Sequence, residues 1–409
     1  MLFKQILGQH EVKQQLIEMV HQNRLSHALL FLGKQGSGAL PLAMAFSEYV
    51  SLLPSSNTIS NNEVSLFGSA SADEIKLPLT ADDADRWMQK QPSFQKAEKL
   101  IHPDIHYSYP VITKKPGSAP ISTDFITEWR EFVAQFPYGN VYDWLQFIDA
   151  ENKQGNITAQ ECNDIIRKLN LKSFESGYKM LVMWMPEYLG KEGNKLLKLI
   201  EEPPADTLFI LVAENEGAIL STIASRCQLI KIPSLDAGSI EASLIEKNKI
   251  SAEQAKRIAN LSEGNYREAL HILQHADEDF QGLLRDWLNA SLKSQSALLV
   301  KSIEEINRLG RENQKQFLRY FTHLLEQAIR LRAYAERSDI QFSNQFSDSE
   351  REFVPRLNRA MSLEQQEAVS KELDRAAYYI ERNANAKILF HALSIKIFHI
   401  VKNNVIIAV

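Results

Sequence analysis

Cysteine is scarce: the chain has two, Cys162 and Cys227, among 409 residues. Two cysteines cannot build a four-cysteine zinc site or a disulfide framework, so the chain reads as intracellular, and no metal site is expected. Long apolar runs are also missing. The N-terminus, MLFKQILGQHEVK, turns polar before any apolar core develops and does not read as a signal peptide. The tail FHALSIKIFHIVKNNVIIAV is interrupted by Lys396, His399 and Lys402. No stretch of about 18 apolar residues survives there, and a buried amphipathic helix is expected in place of a membrane span. There is no excess of positive charge either: Lys and Arg number 46 against 51 Asp and Glu, a net charge of -5. That balance excludes a chain wrapped by nucleic acid, though not a local phosphate-binding surface. From residue 281 onward there are 19 basic and 15 acidic residues, an ordinary solvated surface for a helical bundle.

What is present is globular. The chain is 44% hydrophobic and 24% charged, enough for a large core in about two to four domains. Val12, Leu16, Met19 and Val20 recur at helical spacing, and HALLFLG then reads as a buried strand. GKQGSG is a tight loop, and LPLAMAFSEYV a helix. Residues 51 to 76 are rich in Ser and Asn and read as a surface loop or a partly disordered excursion. Residues 77 to 100 have helical character broken at Pro92. Alternation of Ile105, Tyr107, Tyr109 and Val111 predicts a strand. A Trp- and Tyr-rich stretch over 122 to 150 is followed by a helix over 157 to 169, with Asn156 and Thr158 both able to cap it. YKMLVMWMP, TLFILVAE and QLIKIP are further buried strands. GNKLLKLIEEPP is a helix stopped by Pro203 and Pro204, and AILSTIASRC a short helix. The pattern is α/β with a parallel sheet and crossover helices. After Pro233 the strands end: two or three short helices fill 234 to 280, and 281 to 409 is almost wholly helical.

The chemistry concentrates at Gly33-Lys34-Gln35-Gly36-Ser37-Gly38-Ala39-Leu40. A phosphate-binding P-loop is G-x-x-x-x-G-K-[ST], whose glycines let backbone N–H groups close around phosphates at a helix N-terminus. Gly33 and Gly38 have the required spacing, with Gly36 between. Ala39 stands at the lysine position and Leu40 at the Ser/Thr position. No ammonium is left to neutralise phosphate, and no hydroxyl to ligate Mg²⁺. Lys34 lies on the wrong side of the turn. The alternative reading is a Gly-rich strand–helix turn with no ligand history. The acidic strand end expected of an ATPase reads Met183-Trp184-Met185-Pro186-Glu187: Pro186 cannot ligate a metal, and Glu187 is expected to be a structural surface glutamate.

The opening FKQILGQHEVKQQLIEMVHQNRLSHALLFLGKQGSG resembles the entry of bacterial clamp-loader AAA+ subunits, as do NKLLKLIEEPP, STIASRCQLIKI and SEGNYREAL. The set, in this order and with a degenerate P-loop and acidic strand, resembles the delta-prime type of subunit in the DNA polymerase III family. The resemblance implies an AAA+ P-loop-type parallel sheet domain over 1–233 with inserted segments at about 51–76 and 113–170. A helical lid over 234–280 and an all-α collar over 281–409 would follow. It implies that Ser225-Arg226-Cys227 presents an arginine finger, Arg226, to nucleotide on a neighbouring subunit. A planar guanidinium suits that task through bidentate contact with phosphate; the alternative is an arginine in a surface salt bridge. Arg267 matches a sensor arginine of the lid, or is a packing or ion-pair remnant. Asn215 falls near a sensor position at a strand end, where a structural role is expected. Many relatives carry a four-cysteine zinc module after the P-loop helix; here it is lost or replaced by a metal-free loop.

The expected function is that of a non-hydrolysing, stator-like subunit. It would bind no cofactor productively and would rely on ATP and Mg²⁺ held by partner subunits of motor and delta type. Through the complex it would meet the sliding clamp and primed DNA, in the cytoplasm and with no membrane. The competing readings are a catalytically active AAA+ ATPase, either a motor or a helicase loader, and a structure-specific DNA-binding module with steeply salt-dependent binding. His102 and His106, four apart in an extended stretch, stand too far apart to share a metal ion. The Asn156-Ile157-Thr158 sequon has no role in a cytosolic chain.

Overall fold

The computed structural model describes residues 1–53, 77–114, 117, 119–150, 153–274, 280–293, 295–335, 348–382 and 384–404. Nearly all of the 51–76 segment lies outside them. The described chain forms two compact units, Met1–Leu270 and His271–Val409.

The first unit is built on five strands: β1 (Ala28–Gly33), β2 (Ile105–Ser108), β3 (Lys179–Trp184), β4 (Thr207–Ala213) and β5 (Gln228–Ile232). All pairings are parallel, in the order β2-β3-β4-β1-β5. This is the parallel α/β sheet expected of the AAA+ P-loop type. β3 and β4 are buried at every position, as continuous apolar strands covered on both faces must be. Successive side chains alternate between two apolar layers. Leu29 and Phe31 join Met180, Val182, Ile210 and Val212 beneath the fully buried helix Ala39–Ser51. Ala28 and Leu30 join Leu181, Met183, Phe209 and Leu211 on the opposite face, under helix Ala159–Leu169.

The predicted strand at 105–111 is shorter than its alternation suggests. It ends at Ser108, and Val111 makes an isolated antiparallel bridge to Asn156. Asn156 is therefore engaged elsewhere, and Thr158 caps helix Ala159–Leu169, accepting from the N–H of Glu161 at 3.1 Å. The stretch read as one helix before Pro203 is a 3₁₀ segment, Pro186–Leu196, broken at Gly190, followed by an α-helix over Leu197–Glu201.

The Trp-rich stretch forms helices Ile126–Gln135 and Val141–Phe147, rooted on the sheet by aromatic packing. Trp129 stacks on Tyr109 with centroids 4.0 Å apart and meets Trp184, the last residue of β3, at 5.3 Å. Trp144 closes the cluster edge-on against Trp129 and donates to the carbonyl of Pro110 at 2.7 Å. Each such ring pair adds about 0.5–1.5 kcal/mol beyond the area it buries. Helices Ala237–Asn248, Ala252–Leu261 and the start of Tyr266–Gln274 complete this unit.

The second unit is helical: Phe280–Leu292, Ser296–Arg308, Gly310–Ala335, Asp348–Ala360, Leu363–Glu381 and Ala386–Asn403. Trp287, Phe317, Phe321 and Phe390 sit at the centre of its own core. The indole N–H of Trp287 donates to Ser394 Oγ at 2.9 Å, so the one polar atom of that ring is satisfied. Among the described residues no helix is long and apolar enough to cross a membrane.

Candidate functional site: the cleft at the degenerate P-loop

The loop after β1 keeps the P-loop turn. Gly36 and Gly38 have φ of 69° and 91°, values that disfavour any side chain, and Gly38 is the N-cap residue of helix Ala39–Ser51. A small cleft of about 30 Å³ lies against this turn, lined by Gly33 to Gly36, Gly38 to Pro41 and the ends of β3 and β4. Ala39 and Leu40 are both buried, at 8% and 5% exposure, and present methyl and isobutyl groups where a P-loop presents an ammonium and a hydroxyl. Lys34 is exposed. Positions 39 and 40 therefore offer the turn neither an ammonium nor a hydroxyl.

The cleft is small because the chain itself enters it. Pro137, Tyr138 and Gly139, in the turn between the two Trp-bearing helices, line it directly. Tyr138 Oη accepts from the N–H of Leu7 at 2.7 Å. Its ring edge lies where a Cβ on Gly38 would come within 3.2 Å, and it meets the ring of Tyr266 edge-on at 4.9 Å. Burial pushes the Tyr138 hydroxyl up to about 12, so it stays protonated. From the other side, Asn265 packs so closely on Gly36 that a Cβ there would lie 1.9 Å from its Oδ1, and the N–H of Tyr266 donates to the carbonyl of Gly36 at 3.2 Å. Gln9 ties the turn to the end of β5, its amide donating to Ser37 O at 2.9 Å and Pro233 O at 2.7 Å.

Arg267 follows Tyr266 and is 6% exposed. Its guanidinium grips Asp143 with both arms, Nε to Oδ2 at 2.5 Å and Nη2 to Oδ1 at 2.6 Å. Asp143 is held for this by a reciprocal cap: the Asn140 side chain accepts from the Asp143 N–H at 2.9 Å, and Asp143 Oδ2 accepts from the Asn140 N–H at 3.0 Å. Arg267 is thus ion-paired to Asp143 within the same unit.

Glu187 is not the surface glutamate the sequence suggested. It is largely buried, and its Oε1 accepts from the backbone N–H groups of Glu214 and Asn215 at 2.7 and 2.9 Å. Burial raises its carboxyl pKa, and the two N–H groups oppose that shift. The side chain thereby staples the segment after β3 to the end of β4, following Pro186, which opens the 3₁₀ segment. Asn215 caps the next turn, accepting from the Gly217 N–H at 3.0 Å.

The fold thus gathers Gly33, Gly36, Gly38, Ala39, Leu40, Glu187, Asn215 and Arg267 around the carboxyl ends of the strands. Ser225, Arg226 and Cys227 stand apart, after the short helix Ser221–Ala224. Arg226 is exposed, donates to the carbonyl of Thr222 at 2.7 Å and pairs with Glu201. Cys227 is half-buried, and burial pushes its thiol up to about 11. Among the described residues no group of three or more His, Cys, Asp or Glu could hold a metal ion. Sequence reasoning missed Gln9, Tyr138 and Asp143. The turn signal in Pro137-Tyr138-Gly139-Asn140 is visible, but its target lies over 120 residues away in either direction.

Residues 69–236 match the family model described as DNA polymerase III, delta subunit. The delta-prime subunit of DNA polymerase III from Bacillus subtilis is 24% identical over 264 residues, 64% of this chain and 59% of that one. The delta-prime subunit from Yersinia pestis is 26% identical over 47% of this chain and 56% of its own. A gamma subunit from Buchnera aphidicola is 26% identical over 40% of this chain and 53% of its own. The chain spans a little over half the length of these relatives. Among solved structures, a gamma-subunit-related protein of Thermotoga maritima aligns over 96% of this chain and 99% of that one, at 13% identity and a TM-score of 0.39. In sequence, the chain resembles the delta-prime subunit of bacterial DNA polymerase III and its clamp-loader relatives.

Proposed function

We propose that the chain is a non-hydrolysing, delta-prime-like subunit of a DNA polymerase III clamp loader, working in the cytoplasm as a stator beside motor and delta-type subunits. ATP and Mg²⁺ held by those partners would drive opening of the sliding clamp and its placement on primed DNA. The observation that carries this reading is the cleft at the P-loop. It keeps the turn, lacks the lysine and hydroxyl, and holds Tyr138 against Gly38. The delta-prime and gamma relatives are similarly close, so the residues at positions 39 and 40 separate a stator from a motor. The division into an AAA+ core (1–233), a lid (234–280) and a collar (281–409) is part of the same proposal.

Arg226 is the group this reading sends to a neighbour. It is exposed, just after a short helix away from the chain's own cleft, and held by hydrogen bonds to Thr222 and Ser225 and by a surface pair with Glu201 of the kind that contributes about 0–1 kcal/mol. A guanidinium so held can exchange Glu201 for a phosphate at small cost. The test is reconstitution with motor and delta-type subunits. Arg226→Ala is expected to leave the complex assembled while slowing DNA-stimulated ATPase and clamp loading by about tenfold or more. An unchanged rate sinks the finger assignment, and ATP hydrolysis by the isolated chain sinks the stator reading.

A further inference from the structure

We propose that the Pro137–Asp143 segment is an internal ligand of the P-loop cleft, with Tyr138 and Asp143 standing in for nucleotide in joining the lid helices to the α/β core. Four separate contacts converge on it. Tyr138 bridges the N-terminal segment at Leu7, the P-loop at Gly38 and the lid helix at Tyr266. Asp143 offers two coplanar anionic oxygens to the forked N–H groups of Arg267, the recognition a terminal phosphate offers a guanidinium. The segment is also pre-shaped. The Asn140 cap aims the carboxylate, and Trp129, Phe132 and Trp144 anchor its two helices to Trp184 at the end of β3.

A nucleotide comes and goes with its concentration. A ligand on the same chain does not, because its effective concentration is fixed by the fold. The lid of this chain is therefore set on its core in every nucleotide state. Nothing here depends on partner subunits or hydrolysis, so this inference stands or falls separately from the clamp-loader reading.

The experiment is hydrogen exchange on the full chain, for wild type, Asp143→Asn, Asp143→Ala and Tyr138→Ala, each with and without 5 mM inorganic tripolyphosphate. Amides of helices Ala237–Asn248 and Ala252–Leu261 are expected to exchange at least about tenfold faster in the Asp143→Ala and Tyr138→Ala chains, with Asp143→Asn intermediate. Amides of β1, β3 and β4 should keep wild-type protection, which separates a loosened lid from a misfolded chain. Tripolyphosphate should restore lid protection in Asp143→Ala, where Arg267 has lost the carboxylate, and leave wild type unchanged. A stabilising role without ligand mimicry predicts no such rescue. Unchanged lid exchange in the variants, absence of rescue, or a wild-type response to tripolyphosphate would each overturn the proposal.

Discussion

Glu187 illustrates how one side chain can do a mechanical task at a position that reads as chemical. A glutamate just beyond β3 reads, by position, as a water activator. Here the same carboxylate holds two backbone N–H groups at the end of β4. Removing it leaves those donors without their acceptor, a change that costs about 1–3 kcal/mol when the site stays dry. Glu187→Ala is therefore expected to lower the unfolding free energy by that amount, read as a lower urea midpoint at unchanged m-value, and an unchanged midpoint would mean that water replaces the carboxylate freely. At this scale the sequence was informative wherever a position is defined by spacing. Ala39, Leu40 and Pro186 could be read against a motif without knowing the fold. Arg267 could not be assigned a partner, because Asp143 is separated from it by 124 positions and no local pattern links them.

The strands were the most legible elements. HALLFLG, YKMLVMWM and TLFILVAE are continuous apolar runs because both faces of a parallel strand are covered. β2 was legible in kind and overextended in length, since its alternation continues past the last ladder bond at Ser108. The helices around Trp129 and Trp144 were visible as aromatic sequence, but their destination was not, because aromatic packing has no periodic signature. β2 also carries a testable charge effect. His106 is held neutral chiefly by burial, its pKa lowered to about 4, with Lys168 and Lys179 adding to the shift and Asp104 and Asp164 opposing it. The unfolded chain takes up a proton on this imidazole below about 6.5, and the folded chain only near 4. Stability is thus intact above about pH 6.5 and drains away as pH falls towards 4, by at most roughly 3 kcal/mol from this residue. Urea titrations of His106→Gln between pH 7 and 4.5 should give a flatter pH profile than wild type; parallel profiles would contradict the assignment.

Across the whole molecule, the stator reading makes a ligand prediction: the first unit is expected to need no small ligand to be complete. A native-state ligand present at a hundred times its Kd adds about 2.7 kcal/mol of stability, a shift of several degrees in a unit of this size. Magnesium ATP at 5 mM is expected to leave the thermal midpoint of the isolated chain where it was, and a rise of several degrees would show an open nucleotide site. The filled cleft also constrains position 39. Lysine placed at position 39 would arrive in a position that is 8% exposed, beside a turn already in contact with Tyr138. The longer side chain would enter a space that already has a tenant. Position 39 and Tyr138 are thus coupled through one contact zone, and a longer side chain at the first has to displace the second.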